Sequence, residues 1–173
     1  MKKIIIHDYA GHPFTLDLSK KISKKFKVFH LFFINDHGPK ANFERSYERN
    51  LEIIGVGEKI KYNKGSFLNR FFNDIIYGLN IKKEIIKIKP DIIISANCPT
   101  FSQNFLINTA KKNNIKFIYW IQDFYSIAVE NILRIKLPII SKPISFIFKY
   151  LDKKHLNKSD KIIIISKAFL KII

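Results

Sequence analysis

A short polar loop near the N-terminus is the first place where this chain could bind a ligand. The loop spans residues 8–13 (DYAGHP) and separates a β-branched segment from one with helical spacing. The first turn of a helix leaves backbone N–H groups unpaired and attracts phosphates and hydroxyls. Gly11 would let such a ligand approach the backbone closely. An ordinary tight turn is the alternative, since the loop lacks the further glycines of a dinucleotide-binding fingerprint.

Three potential metal ligands, His7, Asp8 and His12, fall within six residues of the same region. Successive residues of a strand point to opposite faces, so His7 and Asp8 should diverge. The spacing therefore disfavours a metal site, and we expect none. Cys98 has no histidine beside it, which favours a buried structural cysteine over a nucleophile.

A second polar segment, residues 120–125 (WIQDFY), ends an apolar run and opens a helical pattern. Asp123 could cap that helix, or it could face a cleft and bind a sugar or act as a base. Carbohydrate sites combine aromatic faces, which stack on C–H groups, with polar groups that bind hydroxyls. The position of Asp123 alone leaves the cap and the functional role equally open.

These loops need a scaffold that brings them together. Apolar runs predict strands at 3–7, 27–33, 51–56, 91–95, 116–121 and 161–165, and helical spacing predicts helices at 14–25, 67–86, 101–113, 124–133 and 144–155. We expect Ser66 to cap the second helix, Pro90 to end it, and Pro138 and Pro143 to bracket the last one. The order β-α-β-β-α-β-α-β-α-α-β predicts an α/β, Rossmann-like, doubly wound and mostly parallel sheet with helices on both faces. Ligands bind such sheets at the carboxyl ends of the strands, where the polar loops lie.

The strongest signal in the composition is the net charge of +17, from 31 Lys and Arg against 14 Asp and Glu. Such a field attracts nucleic acid, anionic lipid or phosphorylated substrates, although AT-biased coding also enriches lysine. The basic residues are spread along the chain rather than grouped, so we expect no nucleic-acid partner. Segments 67–86 and 144–155 place aromatic residues and isoleucines beside lysines. Such segments are either core-facing helices or a face that rests on an anionic membrane.

Cellular location is bounded by three features of the sequence. A single cysteine excludes an internal disulfide, which fits a reducing compartment. The N-terminus lacks the long apolar run of a signal peptide, and no uncharged stretch is long enough for a transmembrane helix. We expect a cytoplasmic protein whose contact with the inner membrane is at most peripheral.

Four motifs follow or end the predicted strands: residues 7–14 (HDYAGHPF), 95–100 (SANCPT), 120–125 (WIQDFY) and 162–166 (IIIIS). In this order they resemble the N-terminal domain of family 4 glycosyltransferases, of the bacterial type that builds O-antigen, capsule and colanic-acid-type polysaccharides. The resemblance implies a GT-B fold, in which two Rossmann-like domains face each other across a cleft. It also implies retaining transfer from a nucleotide-sugar donor, without a metal or other cofactor.

The resemblance further assigns roles to residues in the loops that follow the strands. Asp123 stands where relatives often have a functional His or Asp, and would be the catalytic residue. Gly11 and His12 would lie near the donor phosphate or the acceptor. The implied substrate-binding residues are Gly11, His12, Asn97, Thr100, Gln103 and Tyr125.

The end of the chain carries the last expectation. Ser166 is placed to cap a helix that begins at Lys167, and the sequence stops at Ile173 within that apolar segment. We expect residues 1–173 to be the acceptor-side domain, truncated before the nucleotide-sugar-binding domain and therefore inactive alone. The expected acceptor is a polyprenyl-diphosphate-linked sugar or glycan. The alternatives are a basic nucleic-acid-binding module and a stand-alone flavodoxin-like binding domain.

Overall fold

Six strands form a single parallel sheet in a computed structural model that describes residues 1–34, 48–57, 67–96, 98–136 and 138–171. The strands are β1 (Lys3–Asp8), β2 (Lys27–Phe33), β3 (Leu51–Val56), β4 (Ile92–Ala96), β5 (Lys116–Ile121) and β6 (Lys161–Ile164). Their order across the sheet is β3-β2-β1-β4-β5-β6, and every neighbouring pair is parallel. This confirms the α/β, Rossmann-like prediction.

The helices follow the strands in the predicted order. They are α1 (Pro13–Ser23), α2 (Phe67–Ile88), α3 (Thr100–Lys112), α4 (Tyr125–Lys136) and α5 (Pro138–Lys158), followed by a short 3-10 helix, η1 (Lys167–Lys171). Ser166 accepts a hydrogen bond from the Ala168 N–H at 3.2 Å, as expected of a residue that caps η1. The predicted cap of α2, Ser66, lies outside the described residues.

Pro143 lies inside α5, so the prediction that this residue precedes the helix is wrong. A proline inside a helix leaves the carbonyl four residues earlier without its N–H partner. Here that carbonyl belongs to Ile139, whose side chain is 93% exposed, so water can hydrate it. The helix therefore continues through the proline and begins at Pro138.

The apolar spacing of α2 predicts one buried stripe that contains Phe67/Leu68, Phe71/Phe72, Ile75/Ile76, Leu79 and Ile85/Ile86, and the observed buried face differs from it. Tyr77, Ile81 and Ile85 are buried, whereas Leu79 is 43% exposed. Apolar residues surround most of this helix, so periodicity alone could not select the packed face. Gly78 selects it, because α3 packs so closely there that a Cβ on Gly78 would lie 2.5 Å from the Phe105 ring.

Alternate strand residues fill two cores on opposite faces of the sheet. Ile5, Leu31 and Phe117 belong to the larger core, which lies against α2 and α3, and Ile4 and Val28 belong to the smaller one beside α1. Such burial on both faces explains why these strands lack polar alternation. No helix within the described residues is long and apolar enough to cross a membrane.

Candidate functional site

The sheet has its topological switch point between β1 and β4, the central neighbours from which the chain winds in opposite directions. A crevice forms at the carboxyl ends of the strands at such a point, and ligands bind there. Residues 9–12 lead from β1 into α1, and residues 98–99 lead into α3 from the β4 side. The predicted substrate-binding residues of these two loops therefore lie at one edge, and the loop after β5 lies beside them.

Asp8 organises the loop between β1 and α1. Its buried carboxylate accepts hydrogen bonds from the backbone N–H groups of Ala10 at 3.1 Å and His12 at 2.7 Å. It also accepts from Nδ1 of His12 at 2.9 Å and from the Thr15 hydroxyl at 3.0 Å. Gly11 adopts a φ of 72° within this turn, a conformation that suits glycine. Sequence reasoning considered Asp8 only as a metal ligand and missed this structural role.

His12 is held in one orientation by that carboxylate. Because a carboxylate only accepts hydrogen bonds, Nδ1 of His12 must carry the proton that it donates. In the neutral ring the other nitrogen, Nε2, is then an acceptor, and none of the described residues bonds to it. The imidazole stacks on Phe14 with ring centroids 5.2 Å apart, and its side chain remains 26% exposed. His12 can therefore accept a hydrogen bond from a ligand hydroxyl.

A buried chain of hydrogen bonds crosses the switch point from α2 to α3. Ser95 donates its hydroxyl proton to Oε1 of Gln103 at 2.8 Å, so Ser95 accepts from Nδ1 of His7 at 3.0 Å. Burial lowers the pKa of His7 to about 3, which keeps the ring neutral. Nε2 of His7 then accepts from the Tyr77 hydroxyl at 2.7 Å. The protons of the whole chain thus point from Tyr77 towards Gln103.

Gln103 ends that chain with an unused donor. Its side chain is fully buried, and its amide nitrogen Nε2 has no partner among the described residues. The hydroxyl of Thr100, which is 3% exposed, is likewise without a partner in that part of the chain. Buried donors in native proteins are nearly always satisfied, so orphaned ones mark places where water or a ligand binds.

The N-terminus of α3 adds to this polar site. α3 begins at Thr100, its N-cap residue is Pro99, and no side chain caps it. The first turn contains no acidic residue, so the partial positive charge of the helix end is not neutralised locally. Asn97, the remaining predicted residue of this loop, lies outside the described residues.

Asp123 and Tyr125 occupy the edge of the sheet next to this site. Asp123 is exposed in the loop between β5 and α4. The alternative that it caps α4 is not what the structure shows, because the helix begins at Tyr125 and Phe124 takes the capping position. The Phe124 carbonyl accepts from the Ile127 N–H at 3.1 Å. Asp123 is thus placed at the predicted edge, and its catalytic role stays a prediction.

Asp74 is a titratable group that sequence reasoning overlooked. It lies on α2 and accepts a hydrogen bond from the Tyr9 hydroxyl at 3.4 Å. Burial raises the pKa of its carboxyl to about 7, against the opposing effect of Arg70. A single acid within the apolar stretch from Phe71 to Tyr77 was the signal in the sequence.

The structure also bears on the metal question. His7 and Asp8 point to opposite faces of β1, since His7 contacts α2 and Asp8 contacts the α1 loop. Within the described residues, no three His, Cys, Asp or Glu side chains are grouped as metal ligands would be.

Comparison with known proteins identifies the fold. No family model matches the sequence, and no curated protein matches it. Sucrose-phosphate synthase from Thermosynechococcus elongatus is similar in structure, with a TM-score of 0.62 and 11% identity over 99% of this chain and 45% of that one. A ugt transferase from Siraitia grosvenorii, solved in complex with UDP, has a TM-score of 0.51 and 11% identity over 77% of this chain and 32% of that one.

A protein from a different functional class shares the fold as well. The C-terminal domain of a hydrogenase from Pyrococcus furiosus has a TM-score of 0.50 and 12% identity over 68% of this chain. Similarities at such low identity define architecture rather than activity. The chain spans less than half the length of both transferases that it matches. It therefore has a Rossmann-like fold of the kind found in GT-B glycosyltransferases.

Proposed function

We propose that this chain is the acceptor-binding domain of a retaining, nucleotide-sugar-dependent glycosyltransferase of the family 4 type. It acts in the assembly of a surface polysaccharide, in the cytoplasm or peripherally on the cytoplasmic face of the inner membrane. The acceptor is a glycan or a sugar linked to a lipid through a diphosphate. The donor nucleotide sugar is held by a second domain.

The observation that carries the proposal is the pair of opposite hydrogen-bonding capacities at the switch point. In the neutral ring, Nε2 of His12 offers a lone pair, because the hydrogen bond to the Asp8 carboxylate holds the N–H proton on Nδ1. Nε2 of Gln103 offers N–H groups, because Ser95 occupies the amide oxygen. Sugar hydroxyls both donate and accept, so a carbohydrate acceptor can use both capacities once the buried amide nitrogen of Gln103 becomes accessible to it.

The N-terminus of α3 explains why a diphosphate is the expected link. α3 begins at the carboxyl edge of the sheet without a capping side chain or an acid in its first turn, whereas α1 begins beside the Asp8 carboxylate. Unneutralised helix N-termini stabilise phosphate groups. The net charge of +17 adds a long-range attraction for an anionic acceptor.

Dependence on a second domain is part of the proposal. The two transferases of similar fold are more than twice as long as the part that this chain matches, at 45% and 32% coverage. A cleft between two domains would bring a donor to His12 and Asp123. We therefore propose that the 173-residue chain binds its acceptor but transfers no sugar.

Calorimetry with a short-prenyl diphosphate monosaccharide, which is water-soluble, tests the binding role. We expect saturable binding. His12→Ala and Gln103→Leu should each weaken the binding about tenfold, since each variant removes one hydrogen bond between the protein and the acceptor. Lys83→Ala, on the exposed surface of α2, serves as the control and should bind normally. Equal affinity of all four proteins would place the ligand elsewhere and refute the proposal.

A further inference from the structure

The helices α4 and α5 form an antiparallel hairpin that leaves the body of the domain. The Ser126 N–H donates to Asp152 at 3.4 Å, and Lys149 pairs with Glu130 at 2.7 Å. Residues that lie later in α4 therefore face residues that lie earlier in α5. The last residues of α4 and the first residues of α5 thus lie at the far end of the hairpin.

This far end lies beyond the carboxyl edge of the sheet. Phe148 of α5 contacts Phe101, the second residue of α3, with ring centroids 5.3 Å apart. Because α3 begins at the carboxyl edge of the sheet, Phe148 is the residue of α5 that lies at the height of that edge. The ten residues of α5 before Phe148 then extend past the edge by up to about 15 Å, at 1.5 Å per residue. The hairpin thus projects from the same end of the molecule as the candidate site.

The projecting end of the hairpin exposes large apolar side chains to solvent, where polar side chains are the usual choice. Its exposed isoleucines include Ile135 at 85% and Ile139 at 93% exposure, and Phe146 is 72% exposed. The hairpin tip is defined here as the exposed apolar side chains of Ile132, Ile135, Ile139, Ile140, Phe146 and Ile147. Several large apolar side chains exposed on one hairpin are typical of an interaction site.

Charge identifies what covers the tip. Residues 131–150 contain four basic residues, Arg134, Lys136, Lys142 and Lys149, and no acidic residue, and of the four Lys149 is paired with Glu130 just outside this range. Apolar side chains flanked by basic ones match the boundary of an anionic bilayer, where the former enter the headgroup region and the latter bind lipid phosphates. No described helix is long and apolar enough to span the bilayer, so the tip would lie in its surface.

We propose that the hairpin tip docks the protein onto an anionic lipid bilayer and holds the switch-point site towards the membrane surface. The significance of docking rests on the proposed acceptor role, because a lipid-linked acceptor presents its diphosphate at that surface. Docking itself depends only on the tip. Binding of the water-soluble acceptor to the site, measured without lipid, can fail or succeed independently of it.

Vesicle flotation of the full chain tests the proposal. Vesicles of phosphatidylcholine mixed with phosphatidylglycerol should bind the protein, and vesicles of phosphatidylcholine alone should bind it much more weakly. Added salt should release it, because salt screens the lysine–phosphate attraction. Substitution of Ile139→Ser with Phe146→Ser should reduce the partition coefficient at least about tenfold, since two inserted apolar side chains are lost.

The matched control is Phe72→Ser with Ile76→Ser, which removes two apolar side chains from the exposed face of α2, at 58% and 47% exposure. This variant should bind anionic vesicles like the unaltered chain, and circular dichroism should show both variants folded. Absence of binding to anionic vesicles, or equal loss in both variants, would overturn the proposal. So would light scattering that shows a dimer which only the tip variant dissociates, because a second copy would then cover the tip.

Discussion

At the scale of single residues, the site depends on buried polar groups whose partners fix the direction of each proton. The Asp8 carboxylate accepts hydrogen bonds from two backbone N–H groups and two side chains. His7 accepts a hydrogen bond from the Tyr77 hydroxyl and donates one to Ser95. In each of these hydrogen bonds, a residue at or near the end of a strand bonds to the loop, helix or strand beside it. The side chains of the candidate site are therefore oriented by the protein's own hydrogen bonds, which lowers the cost of binding.

The Asp8 carboxylate provides the first prediction. Asp8→Ala should lower the free energy of unfolding by about 2–4 kcal/mol, because it leaves two partly buried N–H groups without an acceptor and opens a cavity where the buried carboxylate was. Asp17→Ala, which removes an exposed carboxylate from α1, should change stability by less than about 0.5 kcal/mol. Urea denaturation measures both. A small loss for Asp8→Ala would mean that water replaces the carboxylate and that the loop is not held as described.

At the scale of elements, the close contact of α2 with α3 positions the hydrogen-bond chain. Gly78 allows this contact, since a Cβ there would meet Phe105 at 2.5 Å and the Ser102 backbone at 3.2 Å. Ser102 also donates to the Asp74 carbonyl on α2 at 2.6 Å. The distance between the two helices therefore decides whether Tyr77 reaches His7.

Substitution of Gly78 tests this helix contact. Alanine raises helix propensity by about 1 kcal/mol relative to glycine, yet steric conflict with α3 should outweigh that gain. Gly78→Ala should destabilise the protein by about 1–3 kcal/mol. Lys83→Ala, on the exposed side of the same helix, should be close to neutral. Thermal unfolding of both variants decides the matter, and a stabilised Gly78→Ala protein would show that α3 can move away without cost.

The elements also show how far sequence reasoning reaches. Six strands and their order along the chain were predictable, because apolar β-branched runs and turn residues are local signals. Which face of α2 packs was not, since Gly78 and Phe105 meet only in the folded chain. The continuation of α5 through Pro143 and the Asp8 interactions likewise depend on solvent exposure and neighbours, which no local pattern records. The loops at the strand ends were predictable, but the hydrogen-bond partners within them were not.

At the scale of the whole molecule, three buried histidines should make the fold sensitive to acid. Burial lowers the pKa of His7 and His155 to about 3 and that of His30 to about 4, from an ordinary value of 6.5. Between these values the unfolded chain binds protons that the folded chain does not. Stability should therefore fall as the pH drops from about 6.5 towards 4, by up to about 1.4 kcal/mol per pH unit per proton.

Asp74 has the opposite effect on the pH dependence of stability, but it does not reverse the net effect of the histidines. Its pKa is raised to about 7, so the folded chain keeps a proton that the unfolded chain releases above an ordinary value of 3.8. Burial raises the pKa of Asp152 as well, so these two carboxyls offset part of the effect of the three histidines. His155→Leu should flatten the pH dependence and leave stability at pH 7 unchanged or higher, because neither ring nitrogen has a partner within the described residues. Denaturation at several pH values measures this, and greater stability in acid would contradict it.

Inactivity of the isolated chain is the remaining prediction at this scale. Incubated with nucleotide sugars and the prenyl diphosphate acceptor, the 173-residue protein should form no product at an enzyme-like rate. Chromatography of radiolabelled acceptor detects such product. Turnover by the pure chain would show that no second domain is required.

The central claim is that the switch point binds the acceptor, and an NMR titration of the whole chain tests it most directly. Addition of the short-prenyl diphosphate monosaccharide should shift the backbone amide signals of Gly11, His12 and Thr100 and the side-chain amide signal of Gln103, with one common saturation curve. Signals of exposed α2 residues such as Lys83 should stay in place. Shifts confined to scattered surface lysines, or no saturable shift at all, would contradict the account.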